Sequence, residues 1–169
     1  MDLVNNDLAN TIGNLLNRTS SMSRKWFENG LPPVDEKVRA DHALRSKAEL
    51  TIQQVRESMP QLKFQKAAEA VLQLAIDTNG YLNEQAPWSQ MKQPGQEVQV
   101  GEDLYAVLEC SRIVGLLLQP IVPELSGRIL SQLGLGTIPA SWNDDLTWGR
   151  LVPGTPLPKP EPVMQRLEL

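Results

Sequence analysis

The run from Glu102 to Gln119, EDLYAVLECSRIVGLLLQ, is apolar nearly all round when wound as a helix. A surface helix carries its apolar residues on one stripe, so a segment without a polar face has to be enclosed by other elements. The rest of the chain supplies them in the same currency. Residues 3–27 place Leu8, Ile12, Leu15, Leu16, Met22 and Trp26 mostly at three- and four-residue intervals, the period of an amphipathic helix. Gly30 and Pro32-Pro33 are expected to end it and open a loop. From Asp41 to about Ser58, Leu44, Ala48, Ile52 and Val55 again share one face. Pro60 is expected in the first turn of a third, long helix, since a missing N–H costs nothing there, with Asn79-Gly80 as a competing turn signal inside it. After the Pro/Gly/Gln-rich link APWSQMKQPGQEVQVG comes the enclosed helix, ended by Pro120. Pro123 starts a fifth, and Gly134 and Gly136 suit its left-handed cap.

No stretch alternates with period two and no repeat is visible, so the expected architecture is an all-α antiparallel bundle of about five helices over residues 1–150. Residues 151–169 differ in kind. Pro153, Pro156, Pro158, Pro160 and Pro162 make an extended tail that ends in the apolar group Val163, Met164 and Leu167, and such a strap needs a surface to lie on. With that surface outside the chain, residues after about 152 are expected to be poorly held by the bundle.

Charge and cysteine content exclude several classes of function. Sixteen Lys and Arg against twenty Asp and Glu give a net charge of −4, the opposite of a general polyanion binder, so any nucleic-acid contact has to be local and specific. One cysteine, Cys110, cannot form an internal disulfide, and no Cys/His cluster has metal-ligand spacing; a metal-free chain in a reducing compartment, the cytoplasm, is expected. No apolar run reaches the roughly 18 to 20 residues that a membrane span requires.

Two groups of residues carry chemistry. Asn6, Asn10, Asn14 and Arg18 recur every four residues and so form one ridge on the first helix, with Asn17 beside it. Asn is a mediocre helix former, costing roughly half a kcal/mol per site relative to Ala, so stability alone does not select this ridge. Its amides match the donors and acceptors on the pairing edges of single-stranded bases, and Arg18 can bond a base or phosphate or stack on a ring. Alternatively, some of these Asn residues cap neighbouring helices or bond loop carbonyls. Pro87-Trp88 follows the third helix on a stiff turn, where Trp88 is either a stacking platform for a base or a ring that closes the end of the bundle.

DLANTIGNLLNR at 7–18 resembles the helix that opens the anticodon-binding domain of methionyl-tRNA synthetases, and NEQAPW at 83–88 is similar to that family's second anticodon-contacting element. The likeness runs through LLLQPIVPELSGRILSQLGL to PKPEPVMQRLEL, which is similar to the strap that returns toward the family's catalytic domain. At that strap the family commonly carries a Leu-Phe pair where this sequence has Val163-Met164. The resemblance implies that Asn14 and Arg18, with Asn10 as a weaker extension, contact the anticodon bases. It also implies that Pro87 and Trp88 form the platform for the first base of a CAU anticodon. The implied partners are the anticodon loop of the methionine tRNA and a catalytic domain, with neither DNA nor membrane. ATP would be used by that domain, and no cofactor is expected in this chain.

No segment resembles the class I HIGH-type or KMSKS-type signatures, and no nucleotide-binding βαβ pattern is present. His42, the one histidine, has no nucleophile or carboxylate pair beside it in sequence and is expected at the surface or in a cap; Cys110 is expected in packing. No catalytic residue is assigned. The alternative from another class is a non-catalytic helical module that docks a protein through the Asn ridge and the tail.

Overall fold

A computed structural model describes residues 2–136 and 142–163. Eight helical segments are found among them: α1 (Asp2–Trp26), α2 (Glu36–Ala40), α3 (Ala43–Ser58), α4 (Phe64–Gln85), α5 (Pro87–Gln90), α6 (Glu97–Leu118), α7 (Pro123–Gln132) and α8 (Trp142–Asp145). Five of these, α1, α3, α4, α6 and α7, run ten residues or more and build the expected all-α bundle.

The enclosed helix is α6. Every residue from Val100 to Leu118 except Glu102 is buried, and α6 touches α1, α2, α3, α4, α5 and α7. The partners contribute the stripes read from their spacing in α1 (Ile12, Leu15 and Leu16) and α3 (Leu44, Ala48, Ile52 and Val55). In α4 the expected stripe of Leu72, Ile76 and Leu82 keeps only Leu82 in the core, Ile76 being exposed, and Val71 and Leu74 take the buried positions. Gly115 sets how closely α7 approaches, since a Cβ there would lie 2.9 Å from a methyl of Ile129. Cys110 is sealed inside α6, where burial pushes its thiol up to about 12, so it packs and does not react. The side chains of Asn6 and Leu8 lie outside the described structure.

Several boundaries depart from the sequence pattern. α1 ends before Gly30, through left-handed Glu28 and Asn29. A short α2 occupies part of the expected loop. Pro60 does not open the third helix. Lacking an N–H, it cannot extend α3, and Gln61, Leu62 and Lys63 turn their amides back to the Ser58 and Met59 carbonyls before α4 begins at Phe64. α4 then runs unbroken through Asn79-Gly80, because its buried stripe continues to Leu82. Pro123 opens α7 as expected, and Gly134, at φ 74°, closes it: the amides of Gly134 and Leu135 bond the Ser131 and Leu130 carbonyls.

The tail is the main correction. Residues 151–163 are held against the bundle, with Leu151, Leu157 and Val163 buried. Leu31 donates its amide to the Thr155 carbonyl at 2.8 Å, Gly154 to Leu31 at 3.0 Å and Leu157 to Asn29 at 2.9 Å, around a single antiparallel bridge between Gly30 and Pro156. Arg24 donates to the Leu157 carbonyl, and Arg128 to that of Val163 at 3.2 Å. The bundle itself therefore supplies a surface the strap can lie on. Met164 and Leu167 lie outside the described residues.

Two polar clusters fasten the loops to the core. The Glu109 carboxylate accepts from Arg112 and from the amides of Gly149, Arg150 and Leu151, while Arg112 donates onward to the carbonyls of Asp145 and Thr147. In the second cluster, His42 Nδ1 caps α3 by accepting from Leu44 N–H at 3.1 Å. That role places the proton on Nε2, which faces the Tyr81 hydroxyl at 3.1 Å; Tyr81 in turn donates to Asp103 at 2.6 Å. The histidine ring also stacks on Trp148.

Candidate nucleic-acid interface

Asn10, Asn14 and Arg18 occupy successive turns of α1, and all three are exposed, while Ile12, Leu15 and Leu16 face the core from the same turns. Among the described residues, no hydrogen bond engages the side-chain amide of Asn10 or Asn14, so their donors and acceptors are open to solvent. Asn17 is half-buried and accepts from Ser21 at 3.5 Å, which ties it into the helix itself.

The second element is made by one residue. Ala86 takes φ 44° and ψ 59°, ending α4 and starting α5 at once. Its own amide still bonds the Leu82 carbonyl at 3.0 Å, while its carbonyl accepts from Ser89 at 2.8 Å. A left-handed Ala costs roughly 1–2 kcal/mol, and the surrounding bonds hold it there. Pro87 follows at the first position of α5 and is buried. Of the Pro87-Trp88 pair, only Trp88 offers a ring to solvent, with 37% of its surface exposed.

The fold brings the ridge and the ring together. The Arg18 guanidinium carbon lies 5.2 Å from the centroid of the Trp88 ring, a cation–π contact worth about 0.5–1 kcal/mol at an exposed site. Arg18 Nη2 also donates to Asn83 Oδ1 at 3.3 Å, so residues from α1, α4 and α5 meet in one exposed patch. Asn83 has no role in the sequence reading; its only signal is its place at the head of NEQAPW, since a contact across 65 residues is invisible in local pattern. The patch needs no basic surface: one guanidinium, two free amides and an indole face supply charge, bonding edges and a stacking plane. Nothing in it can act as a nucleophile or general base. Among the described residues, no group of three or more His, Cys, Asp or Glu could hold a metal ion, and no helix is long and apolar enough to cross a membrane.

Fold and patch together define a class, an all-α bundle that presents one exposed polar and aromatic patch among its described residues. Comparison with known proteins narrows it. Residues 31–168 match the family described as the anticodon binding domain of methionyl tRNA ligase. A methionine–tRNA ligase of Thermosynechococcus vestitus is 39% identical over 175 residues, covering 99% of this chain and 33% of that protein. The chloroplastic/mitochondrial methionine–tRNA ligase of Arabidopsis thaliana is 38% identical over 174 residues, covering 99% and 28%. The crystal structure of the apo, free-state Mycobacterium tuberculosis methionyl-tRNA synthetase superposes with a TM-score of 0.84 at 34% identity, over 98% of this chain and 34% of that one. The chain thus spans about a third of the length of these relatives. It belongs to the family of methionyl-tRNA ligase anticodon-binding domains.

Proposed function

We propose that this chain reads the CAU anticodon of the methionine tRNA, as the anticodon-binding part of a cytoplasmic methionyl-tRNA synthetase. The observation that carries the reading is the meeting of Arg18 with Trp88 on the exposed patch that continues through Asn14 to Asn10. An anticodon base that leaves its stack presents both a flat face and a pairing edge. The indole takes the face, for roughly 1–3 kcal/mol per base. Cytosine's edge carries two acceptors and one amino donor; a guanidinium satisfies the acceptors and an Asn carbonyl accepts from the amino group. Pro87 acts from beneath, fixing the first turn of α5 and with it the direction of the ring.

In this reading, activation of methionine by ATP and transfer to tRNA take place in a catalytic domain outside the chain, which holds no cofactor of its own. The contribution made here is positioning: binding energy gathered at the anticodon places the distant acceptor end and penalises tRNAs with other anticodons. The tail that begins at Leu151, after its passage along the bundle to Val163, is the segment that would lead back toward the catalytic domain. With a net charge of −4, the chain gathers little general phosphate affinity, so its isolated binding is weak and base-specific.

The test is a titration of labelled anticodon stem-loops, one with CAU and one with its first base replaced. Preference for CAU supports the reading. Equal or absent binding of both contradicts it and favours a helical module that docks a protein.

A further inference from the structure

The patch holds a conflict that the reading above does not resolve. Arg18 and Trp88 are each assigned to the same base, yet in the RNA-free chain they are assigned to each other. The guanidinium carbon stands 5.2 Å from the ring centroid, in the space over the ring where a stacked base would lie. It is tied there from a second side by Asn83 on α4, at 3.3 Å. We propose that Arg18 is the resting occupant of the Trp88 face, and that the first anticodon base binds by exchange: the base takes the ring and the displaced guanidinium turns to the base's own edge. Asn83 is then a positioning residue, acting on the base through Arg18.

Exchange adds selectivity that stacking alone lacks. Any base can stack, since every base has a π face. A base that stacks without re-engaging Arg18 forfeits the cation–π contact, a factor of about two to five in affinity, and loses the Asn83 bond as well. A base whose edge offers acceptors to the guanidinium offsets both losses with new charge-assisted hydrogen bonds. Clearing the ring therefore favours, in the first position, a base such as cytosine that turns adjacent acceptors toward Arg18, over one that stacks without meeting it. Between encounters, the same contact keeps an exposed indole covered by a charge, which disfavours adventitious apolar docking there.

The proposal rests on the anticodon reading, and its test separates the two. In the full chain labelled with nitrogen-15, the side-chain Nε–H signal of Arg18 is displaced upfield by the indole ring current; loss of that displacement in Trp88→Leu assigns it. Adding a CAU stem-loop abolishes the displacement as the guanidinium leaves the ring. Asn83→Ala, which unties Arg18 without touching the indole, speeds association of that loop by a factor of about 2 to 13. If the loop binds with CAU preference while Arg18 keeps its ring-current shift, the base stacks elsewhere and the exchange is wrong, although anticodon reading stands. An unshifted Arg18 signal in the free chain, or unchanged or slower association in Asn83→Ala, overturns the exchange in the same way. If no stem-loop binds, both readings fall together.

Discussion

Glu109 and Arg112, one turn apart on α6, meet at 2.6 Å with both side chains sealed from solvent. Neither charge is stranded: the carboxylate takes three backbone amides from residues 149–151 besides the guanidinium, which reaches two carbonyls of the same loop. Removing one partner of such a pair leaves the other charge buried. Glu109→Ala is therefore expected to cost about 3–5 kcal/mol in urea unfolding, whereas the double change Glu109→Leu, Arg112→Met costs less than Glu109→Ala alone. A loss under about 1 kcal/mol for the single variant would mean the cluster is not fastening the loop.

His42 couples the bundle to pH. Burial lowers its pKa below the ordinary 6.5, against the pull of Asp103 and Asp41, and its Nδ1 must stay unprotonated to cap α3. The unfolded chain therefore takes up the proton first. The stabilisation is complete above 6.5 and drains away as pH falls from there toward the lowered folded value. Urea midpoints measured from about pH 7 to pH 5 should fall more steeply for the wild type than for His42→Asn, which caps without titrating. Parallel profiles would remove His42 from the account.

Gly30 is required for close approach and not for turn geometry. A Cβ there would stand 2.8 Å from the Thr155 carbonyl oxygen, a backbone atom that cannot swing aside. Gly30→Ala should push the strap outward at a cost of about 1–3 kcal/mol. Hydrogen exchange locates the effect: the amides of Leu31, Gly154 and Leu157 should lose protection while those of α6 keep theirs. Unchanged protection at all three would show that the strap is not held through this bridge.

These residues also mark where sequence reading reaches and stops. The burial of α6 was legible because an all-apolar circumference admits one environment, and the α7 boundaries because Pro123 and Gly134 act locally. The spacing of the ridge was legible, whereas for the ring the sequence left an exposed platform and a bundle-closing position open. Their meeting was not, since Arg18 and Trp88 are brought together by the bundle. The strap misled for a related reason: its partners Asn29 and Leu31 lie more than a hundred residues upstream, and an extended Pro-rich segment carries no periodicity that names the surface it covers. Glu109 and Arg112 inside α6 were absorbed into an apolar reading, because the amides and carbonyls that satisfy them belong to a loop far along the chain.

In the function proposed here, the Trp88 ring carries an anticodon base. Affinities of the CAU stem-loop and of its first-base variant, measured for the wild-type chain and for Trp88→Ala, test it most directly. Trp88→Ala is expected to weaken CAU binding by about 5- to 150-fold and to erase the preference over the variant loop, with the thermal unfolding of the chain little changed. A Trp88→Ala chain that binds CAU as the wild type does, with its preference intact, would contradict it.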